Sequence, residues 1–432
     1  VQGQQDDRGA RHLLVVGMAR SPHYREAVLR ELAGRYPLWL LCQTPPAWAL
    51  PYLAGWTTAD MSDRADPAGV LRAVERLADD VVIGGVVTAE EDCVELAAHL
   101  TEALGLPGIS PQAAGRCRDK AATRRALEHA GIPGARAFQV HSQAEAEEAV
   151  LSLGLPVVVK PRAMAGSRGV RRVDDLGELA HAYTYAVSTT PWYDGPTVHD
   201  GVLIEEFLDG PNISLSSVVV DTVVHPLAAA RVTTIQPPYF LETDHIVDGQ
   251  DPLLTDPEFL RMVQDVHTAL GITAGTTLSQ WCLTSRGPRL IEVNARLGGD
   301  LVQVIGGPAN GLNVIHAWAD TAMGHHPHTH RTPSGAAAIT FLFPDHDLTV
   351  DTLTHTGTAP AGTDIVLLAH PGTTLHLPPR GAKPRYAYVT ARGADLATCV
   401  RNLNLARAAV ELTATADLEL PENGPTVTVA AR

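Results

Sequence analysis

Lysine is the scarcest charged residue of this 432-residue chain: three, Lys120, Lys160 and Lys383, stand against thirty arginines. Arginine therefore supplies the ordinary surface charge, and each position that keeps a compact, flexible ammonium draws attention. Cysteines are few, scattered and odd in number (Cys42, Cys93, Cys117, Cys282, Cys399), with no C-x-x-C spacing. This excludes a disulfide framework and predicts free thiols in a reducing compartment. Nowhere do about 18 apolar residues run together, so no membrane span is expected. The opening VQGQQDDRGARH holds no apolar stretch of signal-peptide length, and the expected localisation is cytoplasmic. Positive charge is in deficit, at a formal net charge of −15. Sequence-independent nucleic-acid binding, which needs a basic face, is thereby disfavoured. An anionic small molecule is not excluded, because a few placed cations and backbone N–H groups overcome the global charge locally.

What is present is a globular pattern, with 45% hydrophobic residues and a length that suggests about three units. HLLVVG at 12–17, a helical stretch at 24–32, an apolar run at 38–42 and VVIGGVV at 81–87 alternate strand with helix. Such alternation predicts a parallel sheet in an α/β layer. The first turn, GMARSP, lacks the G-x-G-x-x-G spacing of a dinucleotide site. Residues 1–112 therefore read as a Rossmann-like domain without its usual cofactor. Next come a helix at 119–130 and another opening at Ser142, with Glu145 placed for a capping box. Strand-like runs follow at 155–160, 202–206, 214–221 and 223–227, then a hairpin at 275–283 and 289–293 around Ser285-Arg-Gly-Pro. From 331 onward the chain is rich in Thr, Pro and Gly, with short strands and a helix near 394–410.

Three stretches carry chemistry. Lys160 ends a β-branched strand and is followed by Ala165-Gly-Ser-Arg-Gly169. Small residues there let backbone N–H groups approach phosphate oxygens while the lysine supplies a point charge. A Gly/Ser hairpin tip would look much the same, and no Walker G-K-[ST] is present. VLIEEFL at 202–208 could be a hinge whose backbone reads an adenine edge, or an edge strand with solvated acids. LIEVNARLGG at 290–299 is the most informative, because strand alternation places Glu292 and Asn294 on one face, with Arg296 continuing in the same sense. A carboxylate, an amide oxygen and a guanidinium so aligned suit Mg²⁺ and phosphate chemistry. The histidines at 325–330 are interrupted by Pro327 and read as a loop rather than a metal site.

In order and spacing, Lys120 in RDKAATRRALEHAGIP, Lys160 in LPVVVKP, the glycine loop, IEEFL and IEVNARLGG resemble the ATP-grasp superfamily. The resemblance spans roughly residues 80–325 and is greatest to bacterial L-amino acid ligases and related carboxylate–amine ligases. It implies an α/β and α+β chain: an N-terminal Rossmann-like domain at 1–112, an ATP-grasp domain at 113–330 with a mobile lid at about 140–207, and a C-terminal lobe at 331–432. It also implies an ATP-dependent C–N bond-forming ligase that works through an acyl phosphate and needs ATP and Mg²⁺. A carboxylase or purine-pathway enzyme and an inactive nucleotide-binding protein are the rivals. Small-molecule carboxylate and amine substrates are the implied partners, with a homodimer left open.

The implied roles are these. Lys120 and Lys160 contact ATP phosphates, with Gly166, Ser167 and Gly169 closing over them. Glu205, Glu206, Phe207 and Leu208 read the adenine, and Glu292, Asn294 and Gln280 hold Mg²⁺. Arg296 steadies the acyl phosphate or the tetrahedral intermediate beside Gly298 and Gly299, and Glu242 and His245 meet a substrate amino group. The chain departs from the family pattern at Gln280, where a Glu is usual, at Leu278, where a His is common, and at Asn212, where an acid is usual. Lys383 falls outside these motifs and is expected to tolerate replacement by arginine.

Overall fold

The computed structural model describes residues 11–18, 21–61, 67–78, 81–189, 201–235, 238–357 and 359–415. The opening VQGQQDDRGA and the end of the C-terminal segment from 416 lie outside the described residues. The first strands form a parallel sheet in the order β3-β2-β1-β4: β1 (His12–Val16), β2 (Leu38–Cys42), β3 (Gly55–Thr58) and β4 (Ile83–Val87). Their apolar runs are continuous because both faces are covered. Leu13 and Val15 pack toward helix α1 (Glu26–Ala33). The alternate residues Leu14 and Val16 pack toward α2 (Ala68–Ala78) and α3 (Val94–Ala103). Thr88-Ala-Glu-Glu-Asp follows β4 at the carboxyl ends of these strands, where open parallel sheets meet their ligands.

Two capped helices lead out of this layer. Ser110 accepts the amide of Ala113 at the start of α4 (Pro111–Arg118), and Asp119 accepts that of Ala121 at the start of α5 (Lys120–His129). A four-stranded antiparallel sheet follows in the order β5-β8-β6-β7, from β5 (Ala137–Val140), β6 (Val157–Pro161), β7 (Arg171–Val173) and β8 (Val202–Glu206). Helices α6 (Gln143–Leu153) and α7 (Leu179–Ser188) cover one face. Ser142 caps the helix as expected, accepting the Glu145 amide at 3.2 Å, but the Glu145 carboxylate accepts the amide of His141, one residue before the cap, at 2.8 Å. β8 lies between β5 and β6, so its two acids are not on an edge.

An eight-stranded antiparallel sheet forms the centre, in the order β13-β12-β9-β10-β11-β14-β18-β16. It contains β9 (Asn212–Val220), β10 (Val223–Ile235), β11 (Leu241–Asp248), β12 (Gly275–Thr284), β13 (Gly287–Asn294) and β14 (Ala336–Leu342). Helices α8 (Pro257–Leu270), α9 (Val302–Asn310) and α10 (Val314–Ala322) pack against it. Beyond β14 come β15 (Leu348–His355), β16 (Thr363–Leu367), β17 (Thr374–Leu375), β18 (Ala387–Gly393), α11 (Leu396–Ala408) and β19 (Val410–Ala414). β15, β17 and β19 make a small sheet, whereas β14, β16 and β18 continue the central one.

The β12–β13 turn is shorter than expected. Gly287, at φ +90°, already opens β13, leaving Ser285 and Arg286 as the connection. Alternation along β12 separates two environments. Trp281 is wholly buried and meets Phe259 of α8 edge-on at 5.4 Å, while Leu278 and Gln280 look into the cleft on the other face.

Candidate active site

The two antiparallel sheets enclose a cleft of about 1520 Å³, counted to its open mouth. Lys120, at the first turn of α5, projects into it and binds Glu292 of β13 at 2.9 Å and the Met164 carbonyl at 2.8 Å. Burial alone would push the Glu292 carboxyl up. The Lys120 ammonium, with help from Asn294 and Lys160, instead brings it down to about 2. Asn294 donates to the other Glu292 oxygen at 3.1 Å. Gln280 lies directly opposite Glu292 across the β12–β13 ladder and donates its amide to Glu242 at 2.9 Å. Its amide oxygen is thus the atom left to turn toward a cation. A carboxylate that already holds an ammonium, beside two amide groups, fits a hard divalent ion that keeps its remaining oxygens from a nucleotide.

Lys160, at the end of β6, binds Glu205 at 2.5 Å. Arg124 of α5 grips the same carboxylate with two bonds, at 2.8 and 3.1 Å, and donates to the Ile291 carbonyl at 2.7 Å. One buried carboxylate therefore anchors two cations. Burial dominates at Lys160, lowering its pKa to about 8 against the opposing pull of Glu205. Glu206 points the other way, to Arg136 and Arg286. Its amide donates to the Arg136 carbonyl at 2.9 Å, and that of Phe207 to Pro156 at 3.2 Å. Phe207 and Leu208 line the cleft beyond them.

The glycine loop hangs over this group. Gly166 and Ser167 both adopt positive φ, +66° and +59°, and line the cleft. Gly169 does not. Its φ is +72°, and a Cβ there would lie 2.5 Å from Pro161, so its smallness serves the fit of the loop on β6. Gly298 is likewise a packing glycine, because a Cβ would meet Leu278 at 3.3 Å, whereas Gly299 reaches the cleft. Leu278 thus fills against the glycine pair the place where a histidine was expected.

Arg296 enters the cleft as expected but is not alone. Its Nε donates to Glu91 at 2.6 Å and Nη1 to the Leu297 carbonyl at 2.6 Å. Glu91 also receives Arg118 at 3.1 Å. Burial would raise the Glu91 carboxyl, but Arg296 and Arg118 together lower it. Sequence reasoning missed Glu91. The signal was there in Glu90-Glu91-Asp92, directly after the carboxyl end of a parallel strand.

At the far end of the cleft stand Glu242, His245 and Asp300, with ligand atoms within 4.8 Å of one another. His245 is 2% exposed and both its ring nitrogens are buried without a partner. Burial lowers its pKa, so the ring is neutral at pH 7. Asp300 is taken up by Arg385, with two bonds of 2.7 Å, and by Lys383 at 3.1 Å. Two cations on one carboxylate leave it little attraction for a metal ion. Lys383, expected outside the site, is therefore within it: all three lysines of the chain line the same cleft. Among the described residues, the 325–330 histidines take no part in the group of side chains that could hold a cation.

Two family models match the chain. Residues 119–327 match the carbamoyl-phosphate synthase L chain ATP-binding domain, and residues 46–108 match the ATP-grasp N-terminal domain. An uncharacterized protein of Sinorhizobium fredii, y4rH, is 31% identical over 69% of this chain and 62% of its own length. A phosphoribosylamine–glycine ligase of Streptomyces coelicolor is 30% identical over 56% and 58%, respectively. The chain thus spans about three fifths of these two relatives. Among solved structures, an L-amino acid ligase from Bacillus licheniformis superposes with a TM-score of 0.77 at 20% identity, over 94% of this chain and 99% of that one. The agreement in fold runs through all three layers, and the first family model spans all but one of the residues that line the cleft. The chain belongs to the ATP-grasp superfamily.

Proposed function

We propose that this chain joins a carboxylate to an amine at the expense of ATP, through an acyl phosphate, with an amino acid among its substrates. The observation that carries the reading is the convergence of Lys120, Lys160 and Arg296 on one cleft with Glu292, Asn294 and Gln280. Relatives named as phosphoribosylamine–glycine and D-alanine–D-alanine ligases support it.

In this reading a carboxylate oxygen attacks the γ-phosphorus, the bond to ADP breaks, and the amine nitrogen then attacks the acyl carbon. The C–O bond to phosphate breaks and the amine loses a proton. Lys120 and Lys160 neutralise phosphate charge. With the Glu206 amide committed to Arg136, the Leu208 amide is the donor for an adenine edge. Glu292 and Asn294, with the Gln280 oxygen, would hold magnesium, which supplies charge neutralisation on the phosphates. Arg296, aimed by Glu91, faces the developing negative charge, and Glu242 receives a substrate ammonium beside His245. The β5–β8 layer with its glycine loop is the natural lid, because acyl phosphates must be kept from water.

The test is an acid-by-amine matrix read by ADP and phosphate release, with hydroxylamine as a surrogate amine. Hydroxamate and ADP are expected to accumulate together. AMP as the stoichiometric product would sink the reading.

A further inference from the structure

Lys383 differs from the other two lysines in how its charge is matched. It arrives on the segment between β17 and β18 and meets Asp300 at 3.1 and 3.3 Å. That carboxylate has no need of it. Arg385 already holds both Asp300 oxygens at 2.7 Å, and its own guanidinium lies 3.5 Å from the Phe341 ring centre with the side chain 3% exposed. A bidentate pair of this kind satisfies the acid on its own. The Lys383–Asp300–Arg385 group thus carries one positive charge in excess, and the lysine is its exposed member, at 27%.

The backbone supports the same arrangement. Asp300 and Leu301 sit at φ +54° and +62°, a conformation that non-glycine residues hold only when their surroundings insist. Arg385 pins the Asp300 side chain with two bonds of 2.7 Å, while Lys383 lines the cleft. On the loop side, a Cβ at Gly166 would stand 3.0 Å from Lys383 Cε and 3.4 Å from Nζ. The lysine therefore lies directly beneath the loop. Glu242 stands beside this group, its carboxylate within 4.8 Å of Asp300, and is bonded to a neutral amide and neighbours a neutral imidazole. Lys383 and Glu242 thus offer an ammonium and a carboxylate side by side to the same space.

We propose that Lys383 is an oxyanion-binding residue of this cleft, exchanging part of its contact with Asp300 for an oxygen of a bound reactant. The oxyanion is either the carboxylate of an amino-acid amine substrate or the terminal phosphate of the nucleotide. The proposal rests on the ligase reading for the identity of these reactants, but its test does not need turnover.

The experiment is calorimetric titration of the full chain in MgADP, with inorganic phosphate and with the standard L-amino acids, for wild type, Lys383→Met and Lys383→Gln. Lys383→Gln keeps a hydrogen bond to Asp300 without the charge, and serves if the methionine variant fails to fold. A loss of tenfold or more is expected for one ligand class. Loss for phosphate alone assigns the nucleotide side, and loss for amino acids alone assigns the amine substrate. Lys383→Arg should recover part of it. Affinities within twofold of wild type in the folded variants, or no binding of either class by wild type, overturn the proposal. Binding without any acid- and amine-dependent ADP release counts against the ligase reading and leaves the Lys383 result standing.

Discussion

Replacing Glu205 by glutamine should destabilise the protein far more than replacing the lysine it binds. Glu205 is 4% exposed and faces two cations, Lys160 at 2.5 Å and Arg124 at 2.8 and 3.1 Å. The three groups together carry one net positive charge. Lys160→Met brings this to zero and leaves the bidentate Arg124 pair whole, so its effect on stability should be within about 1 kcal/mol. Glu205→Gln raises the charge to two and strands both cations in a buried site. Breaking a buried pair in this way costs about 3–5 kcal/mol. At roughly 2–4 °C per kcal/mol the melting temperature should fall by about 6–20 °C. Saturating MgADP offers Lys160 a new anion, so the deficit should shrink when melts are repeated with nucleotide. A fall below about 2 °C for Glu205→Gln would refute the charge argument. An equal deficit with and without MgADP would mean that Lys160 does not meet phosphate.

Lys160 holds its proton only below about pH 8, against 10.5 for an ordinary lysine; nucleotide affinity should therefore decline as pH rises through 8, as followed by calorimetry. The same shift has the opposite sign for folding: the unfolded chain binds the extra proton between pH 8 and 10.5, so this group's contribution to stability rises with pH across that window. Lys160→Arg should not restore turnover, because a planar fork does not fit where a compact ammonium approaches phosphate. Gln280→Glu places a carboxylate against Glu242 and opposite Glu292, so it should lower the melting temperature in EDTA yet lower the Mg²⁺ concentration at half-maximal activity; an unchanged Mg²⁺ curve would remove Gln280 from the metal site. Glu91→Gln slackens the aim of Arg296 and should lower kcat by about 10–100-fold with KM for ATP little changed, a split that steady-state kinetics reads directly.

The parts of the cleft legible in the sequence are those whose partners lie nearby in the chain or repeat with a strand's period. Glu292 and Asn294 share a face because side chains alternate, and Lys160 stands out because a charged residue closes a β-branched run. Glu205 looked as much like a solvated edge acid as a hinge. Only the strand order, which places β8 between β5 and β6, rules out the edge. Asp300 and Arg385 were invisible for another reason. Each meets its partner across a long loop of chain, and no local period encodes that meeting. Glycines misled in a similar way: Gly169 and Gly298 sit in phosphate-loop and Gly-Gly motifs, but the atoms that exclude a Cβ at the first belong to Pro161, and those that crowd one at the second belong to Leu278.

The tethers on either side of the cleft bear on how such a protein can be recombined. Residues 119–327 match a nucleotide-binding module found in other chains, and they contain Lys120, Lys160, Glu292 and Arg296. Glu91, which aims Arg296, comes from before that module, and Lys383 and Arg385, which clasp Asp300, come from after it. A chimera built by exchanging the module at its borders would inherit the phosphate apparatus intact. It would also receive a foreign acid behind its arginine and a foreign partner for its aspartate. Reactant preference should then follow the donor of the flanking segments more than the donor of the module.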